Sequence, residues 1–304
     1  MKNSVYYIIN PAGQGGGGGI RAWNELKALW PEQIDPKNTI FTERPGHAQE
    51  IAAQCEGYET LVAVGGDGTV GEILSGIMER DKTRPRLAII PGGTGNDVAR
   101  NAGICSVRDG VFALQNGRSR SFDLIRVDCM FDGKPIQKHA FLFVAVGFSS
   151  NPMTKRWMKR LFGPKLSYYL GTFLQSIIYQ APHMTLRTES REFSKRTWMI
   201  IVGNADRAAG GSMCLSPGAR TDDGELNVTV IPFQSKLKMV TGLLPKIASG
   251  AHIYEAGISY YQEKKIYVDS NPVAILDLDG DILGETPATF TVCPQAVQIM
   301  TPEW

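Results

Sequence analysis

Leu61-Val62-Ala63-Val64-Gly65-Gly66-Asp67-Gly68-Thr69-Val70-Gly71-Glu72-Ile73-Leu74 is the stretch that decides the fold. Four apolar residues closed by two glycines read as a buried strand, and Val70, Ile73, Leu74 and Ile77 recur at helical spacing, so the glycines form a strand-to-helix turn. Such a turn cradles an anion. Glycine lets the main chain approach a ligand closely, and the first N–H groups of the helix lack internal partners at its positive end. Asp67 inside that cradle repels phosphate, so it points to a metal ion, or to a proton to be removed, beside the phosphate. Gly66 to Gly71 fits the pattern GxGxxG, as does Gly13 to Gly18, but the next strand, Leu87-Ala88-Ile89-Ile90, runs into Pro91-Gly92-Gly93 instead of the acidic residue that holds a ribose. The P-loop is excluded because no Gly-Lys-Ser or Gly-Lys-Thr occurs.

Two further strands end in the same way. Val5-Tyr6-Tyr7-Ile8-Ile9 runs into Asn10-Pro11-Ala12-Gly13-Gln14 and five glycines, and Leu87–Ile90 runs into Pro91-Gly92-Gly93-Thr94-Gly95-Asn96-Asp97. Helices are expected over Trp23 to Trp30, from His47 through Ala52, and after Asp97, with a short strand at Thr39–Thr42. Alternating strands and helices argue for a parallel sheet, and ligands bind where the carboxyl ends of such strands open into a crevice. Three turns carrying Asn10, Asp67, Thr69, Thr94 and Asn96 would meet there as one polyphosphate site. His47 reads as a capping or surface residue, since nothing in the sequence pairs it with a metal or a nucleophile.

From about Ser121 the rhythm becomes that of strands. Asp123–Phe131 alternates, Asp132-Gly133 is a hairpin turn, and Ala140–Phe148 is the expected return strand. Further strands are expected at 197–202, 226–231, 258–261, 266–269, 273–278 and 288–292, with helices at 152–179 and 236–249. This is an antiparallel, sandwich-like second domain. Within the first of those helices, Lys155-Arg156-Trp157-Met158-Lys159-Arg160-Leu161-Phe162 interleaves cations with large apolar side chains, which suits an anionic membrane surface or, equally, a helix with one face in the core. Asp222-Asp223-Gly224 reads as a turn entering a strand. Asp277, Asp279 and Asp281 stand at every second position, on one face if extended, where like charges need a cation or a proton between them.

The 304 residues, 43% hydrophobic and 20% charged, suffice for a packed core. Cys55, Cys105, Cys129, Cys214 and Cys293 are odd in number and widely spaced, which indicates reduced thiols of a cytosolic protein and neither a disulfide framework nor a zinc site. A net charge of +2 implies no nucleic-acid partner. The first segment is too short for a signal peptide, and no run is long enough to span a bilayer.

Gly65-Gly66-Asp67-Gly68-Thr69 with Glu72, and Pro91 through Arg100, resemble the two glycine-rich motifs of the diacylglycerol kinase catalytic domain, a superfamily that includes sphingosine and ceramide kinases and bacterial soluble lipid kinases. Asn10-Pro11-Ala12-Gly13 resembles its first strand-end motif, and Thr42 with Pro45-Gly46-His47-Ala48 its next loop. Asp222-Asp223-Gly224 and Asp279-Gly280-Asp281 stand where bacterial members carry later acidic motifs. The resemblance implies an α/β nucleotide-binding domain with a parallel sheet, like that of phosphofructokinase and NAD kinase, over 1–122. A β-rich lipid-substrate domain follows over 123–292, and the last strand, about 293–304, is free to return to the first domain. It also implies an ATP-dependent kinase of diacylglycerol or a related lipid, cytoplasmic and peripheral to a membrane, with room for a homodimer.

By the same resemblance, ATP is held by Asn10, Pro11, Thr42, Gly65, Gly66, Asp67, Gly68, Thr69, Glu72, Gly93, Thr94 and Asn96. Asp67 lies beside the phosphates and a catalytic Mg2+. A further Mg2+ is held by Arg220 and Glu225 through backbone carbonyls and by Asp223 through its carboxylate. Asp279 or Asp281 supplies the base. The chain departs from the family at three places. Asp281 replaces the usual glutamate, Gly15–Gly19 lacks the usual cation, and Ser75 replaces a common asparagine. An NAD kinase-like enzyme acting on a soluble substrate, and a non-catalytic nucleotide or lipid sensor, are the alternatives.

Overall fold

The computed structural model describes residues 4–12, 17–80, 84–148, 171, 176 and 178–302. The Lys155–Phe162 stretch, most of the expected 152–179 helix and Gly13–Gly16 lie outside them. The first part alternates strands and helices: β1 (Val5–Ile9), α1 (Gly18–Leu29), β2 (Thr39–Phe41), α2 (His47–Gln54), β3 (Thr60–Gly65), α3 (Asp67–Met78), β4 (Arg86–Pro91), α4 (Asp97–Asn101) and α5 (Val107–Asn116). Strands β2, β1, β3 and β4 lie side by side in that order, all in parallel. Every side chain of β3 is buried, as a parallel strand covered on both faces requires. Ile8, Leu61, Ala63, Ile73 and Ile77 pack on one face of this sheet, and Tyr7, Ile9, Trp23, Leu26 and Val64 on the other.

The second part is β5 (Ser119–Phe131), β6 (Lys134–Ala140), β7 (Phe143–Gly147), β8 (His183–Arg187), β9 (Glu192–Gly203), the two-residue strands β10 (Arg207–Ala208) and β11 (Met213–Cys214), β12 (Leu226–Pro232), β13 (Ser259–Glu263), β14 (Lys265–Asn271), β15 (Ile275–Leu278) and β16 (Asp281–Met300). Pairing is antiparallel throughout these strands, and β16, β14, β8, β9, β7 and β15 pair in a closed ring. Val144, Ile200, Leu276, Phe290 and their neighbours fill its interior. The expected 236–249 helix begins as Lys236–Lys238, widens to a π turn over Met239–Leu243 and continues as Leu244–Ile247.

Three expectations are corrected. The strand returning from the Asp132-Gly133 turn is β6, while Phe143–Gly147 is a separate strand between β9 and β15. Strand β6 escaped the pattern because it pairs only with β5 and is largely exposed, with Ile136 alone apolar between Lys134 and His139. The last strand is one run of 20 residues instead of 288–292. It passes Pro287 and Pro294 through two register shifts against β5, with Gln295 at φ 50°, as bulges allow. Its end reaches back to the first part, where Ile299 pairs with Leu87 of β4. Asp277, Asp279 and Asp281 do not share an extended face. Asp279 and Gly280, at φ 52° and 102°, form a two-residue turn between the paired Leu278 and Asp281. An Asp-Gly pair suits this because both central residues need positive φ.

Candidate active site

The carboxyl ends of β1, β3 and β4 are stitched together. Asn10 N–H donates to Val64 O at 3.0 Å, Thr42 N–H to Ile9 O at 2.8 Å, and Gly92 N–H to Gly65 O at 2.7 Å. The start of α1 presses against this seam: a Cβ at Gly19 would lie 1.9 Å from Asn10 O, and one at Gly18 would lie 2.2 Å from Gly92 O. Glycine is therefore required at these two positions for packing, since any side chain would collide with main chain. Asn10 Nδ2 donates to Thr69 Oγ1 at 2.9 Å, and Asn96, itself at φ 53°, exchanges hydrogen bonds with Gly93 through both ends of its amide.

A cleft of about 570 Å³ opens over these turns. Of the residues expected at the nucleotide, Asn10, Pro11, Thr42, Gly66, Asp67, Gly68, Thr69, Glu72, Gly93 and Thr94 line it, and Gly65 and Asn96 support it from behind. Glu72 commits both carboxylate oxygens to the Gly46 and Ala48 N–H groups at 2.9 and 3.2 Å, so it fixes the loop that carries Thr42–Pro45. His47 accepts from Glu43 N–H through Nδ1, a local capping contact.

Asp279 and Asp281 reach the same cleft from the opposite wall. Asp279 is fixed by three backbone donors, Phe141 N–H to Oδ2 at 2.7 Å and the Leu142 and Phe143 N–H groups to Oδ1 at 2.9 Å each. Burial pushes its carboxyl up to about 6 against the pull of those three N–H groups, and the charge of Asp67 adds to the rise. Asp281 is exposed on the rim. Of the two candidate bases, Asp279 is thus the one held in place with a carboxyl near neutrality, which suits proton acceptance.

Asp67 is also raised, mainly by burial and further by Asp97, while the Val98 N–H at 3.1 Å from its Oδ1 opposes this. Asp97 was missed as a site residue, although it lies within the quoted Gly95-Asn96-Asp97 motif. Its carboxylate accepts from Gly210 and Gly211 N–H at 2.9 and 3.1 Å, tying α4 to the β10–β11 loop. A Cβ at Gly95 would lie 2.9 Å from Asp67 Oδ2 and 3.1 Å from Asp97 Oδ2, so these two oxygens border one small space. Arg44 and Gly95 also line the cleft and were not foreseen. Arg44 forms an ion pair with Glu50, and it stands in a part of the chain that the glycine-loop motif does not cover.

The residues expected at the further metal do not line the cleft. Arg220 pairs with Asp222, Asp223 Oδ1 accepts from Glu225 N–H at 3.1 Å, and Glu225 faces Lys264 at 3.6 Å. Asp123 holds this turn. It is buried at 1% exposure and accepts from Gly224 and Gln295 N–H, both at 2.7 Å. Among the described residues no three His, Cys, Asp or Glu side chains cluster as a metal centre.

The profile of the diacylglycerol kinase catalytic domain matches residues 4–127, and that of the YegS C-terminal NAD kinase beta sandwich-like domain matches 142–301, more than half the chain. The chain belongs to the diacylglycerol kinase catalytic-domain superfamily. Within this kinase family it is 26% identical to the Bacillus subtilis protein named "Putative lipid kinase YtlR", over 97% of this chain and 99% of that one. It is 29% identical to the Staphylococcus aureus "Putative lipid kinase SAR0780", over 84% and 82%. A crystal structure titled as a "putative diacylglycerol kinase" of Bacillus anthracis superposes with a TM-score of 0.75 at 22% identity, over 98% and 97% of the two chains. Yeast NADH kinase in complex with NADH shares the fold more distantly, with a TM-score of 0.52 at 11% identity over 97% and 82%. No helix among the described residues is long and apolar enough to cross a membrane.

Proposed function

We propose that the protein transfers the γ-phosphate of ATP to the hydroxyl of diacylglycerol or a related lipid. The observation that carries this reading is the juxtaposition, in one cleft, of a glycine-turn phosphate cradle and the Asp279 carboxyl held near pH 6. Phosphoryl transfer needs positioned phosphates, neutralised charge and an oriented acceptor hydroxyl, with little covalent work by the protein. The N–H groups at the start of α3 would bind the phosphates, the turns at Asn10 and Gly93 would wall them in, and Thr69, pinned by Asn10, would orient them. Asp279, ionised at neutral pH, would take the proton of the acceptor hydroxyl at one of its carboxylate oxygens.

One oxygen donor for magnesium stands in the cleft. Asp67 lines it, and its carboxyl, raised mainly by burial, is what a cation would relieve. Bound there, the ion would neutralise charge on the phosphates. A second ion at Arg220, Asp223 and Glu225 would rest on one carboxylate and two backbone carbonyls, by resemblance alone.

The test is magnesium-dependent transfer of labelled γ-phosphate into a panel of lipids in mixed micelles, beside NAD and a control without acceptor. Label in one lipid, lost in Asp67→Ala and Asp279→Asn, supports the proposal. Label in NAD alone would assign the protein to soluble-dinucleotide kinases, and ATP binding without transfer to any acceptor would make it a sensor.

A further inference from the structure

Asn204 follows directly on β9, is buried at 0% exposure, and directs most of its donors at one short segment. Its Nδ2 donates to Phe141 O at 2.8 Å and to Asp123 O at 3.0 Å, and its main-chain N–H donates to Leu142 O at 2.8 Å. Among the described residues its Oδ1 has no partner. A buried amide normally satisfies both ends, because an orphan acceptor in a dry site is costly. Asn204 is thus used for its N–H groups.

The carbonyls they reach lead to the candidate base. Phe141 O and the Leu142 N–H belong to one peptide group, and Leu142 O and the Phe143 N–H to the next. Those two N–H groups are the ones that reach Asp279 Oδ1, each at 2.9 Å. Each peptide group therefore stands between an Asn204 donor at its oxygen and the Asp279 carboxylate at its hydrogen. A donor at a carbonyl polarises the peptide and strengthens the bond made by its N–H, by about 10–30% per bond. The Phe141 N–H, 2.7 Å from Oδ2, gains nothing from Asn204, because its peptide oxygen belongs to Ala140. Joining the strands does not require the side chain. Ala205 N–H already reaches Leu142 O at 3.0 Å, and Phe143 pairs with Gly203.

We propose that Asn204 is a positioning residue for the phosphoryl transfer, fixing Asp279 Oδ1 and favouring its ionised form through the two intervening peptide groups. This deepens the kinase reading and rests on Asp279 being the base. Without the side chain the carboxylate would be held less firmly against burial and against the charge of Asp67, which raises it further. The other carboxylates nearby are Asp277 and Asp281 on its own turn, and Asp123, whose main chain shares the Asn204 amide.

Two measurements test the proposal. In wild type, followed by NMR from about pH 4.5 to 8, the Asn204 side-chain amide proton should move downfield as Asp279 ionises, with a midpoint near 6. The movement should vanish in Asp279→Asn, and Asn204→Ser assigns the resonance. In Asn204→Ala the acid limb of kcat/KM for the lipid acceptor should rise by about 0.5 in pH and kcat should fall several-fold, with KM for ATP within about twofold of wild type. Asn204→Ser, which keeps one donor, should lie between. Val230→Ala, a core truncation outside the cleft, should lower stability without moving the profile. A side-chain amide that ignores pH, or an Asn204→Ala profile superimposable on wild type, overturns the proposal. Should the alanine variant fail to fold, the wild-type titration decides alone. An amide that follows Asp279 in a protein inactive on every acceptor supports the coupling and refutes the kinase reading instead.

Discussion

Replacing Asp279 by asparagine removes the candidate base while keeping its shape, and the structure indicates what each half of the change does. In the folded protein the carboxyl sits near 6 against an ordinary 3.8, a difference of about 3 kcal/mol between its charged and neutral forms. The sign follows from linkage. A raised carboxyl favours the folded state when protonated, so this contribution is present below pH 4 and is lost as pH rises towards 6. The Asp279→Asn variant would escape that cost of holding a buried charge. It would also turn an amide N–H₂ towards one of the three backbone donors now satisfied, the Phe141 N–H at 2.7 Å or the pair at 2.9 Å, at about 1–3 kcal/mol. The two effects oppose each other, so the variant should unfold within about 2 kcal/mol of wild type at neutral pH, by urea titration. Its kcat should fall about 10²–10⁴-fold, the usual contribution of a positioned base. In wild type, kcat/KM for the lipid acceptor should decline about tenfold from pH 7 to pH 5, because a carboxylate titrating near 6 goes from mostly ionised to mostly protonated. This decline should be absent from the residual activity of the variant. A variant that folds normally and retains wild-type kcat, or a wild-type profile flat to pH 5, would refute the assignment of Asp279 as the base.

Three other substitutions test the frame around it. Glu72→Gln leaves one of the Gly46 and Ala48 N–H groups facing an amide donor, so the Thr42–Pro45 wall should loosen and nucleotide affinity should drop roughly tenfold by titration calorimetry, with the fold retained. Gly19→Ala forces a methyl to within 1.9 Å of Asn10 O, and either α1 or the Asn10 turn must move. Stability should fall by about 3 kcal/mol in denaturant titration, and nucleotide binding should weaken with it. Asp123→Asn turns an amide N–H₂ towards either the Gly224 or the Gln295 N–H, which now reach separate carboxylate oxygens in a site of 1% exposure, and should cost about 3 kcal/mol in the same assay. If it unfolds like wild type, the turn at Asp222–Gly224 is held by something else.

The meeting of the three turns in one cleft was legible in the sequence because glycine marks where backbone must be bare. Three strands ending in glycine or asparagine turns are visible without a structure, and ten of the twelve residues expected at the nucleotide line the cleft. What escaped were roles set by distant pairing. Glu72 looks like a ligand in its motif, yet both its oxygens are committed to a loop 24–26 residues away in sequence. Asp97 reads as part of a turn, and its partners Gly210 and Gly211 are 113 and 114 residues further on. Alternation misread the second half for a related reason. Strand β6 carries little apolar content because it is an edge, and β16 runs through two prolines that sequence rules take as ends. The Asp277–Asp281 cluster was read as extended, when its Asp-Gly step is a tight-turn signal that redirects the middle carboxylate.

That redirection explains how the two halves make one site. Asp279 N–H donates to Phe143 O while its side chain takes the Phe141, Leu142 and Phe143 N–H groups, so the β15–β16 turn and the start of β7 form one rigid unit. The same short segment is gripped from below by Asn204, whose Nδ2 donates to Phe141 O and to Asp123 O and whose N–H donates to Leu142 O. Asp123 in turn fixes Gly224 and the bulge at Gln295, the point from which β16 runs on to β4 and the nucleotide turns. The distance between the glycine turns and the candidate base is therefore set by a series of hydrogen bonds between the side chains of Asp279, Asn204 and Asp123 and the main chain around them. Positioning in phosphoryl transfer is sensitive to displacements of an ångström, and a frame of this kind supplies it without requiring a mobile element. The third acidic position lies outside this frame. Asp281 is exposed at the rim, outside the clamp, so its departure from the usual glutamate leaves the geometry of Asp279 untouched.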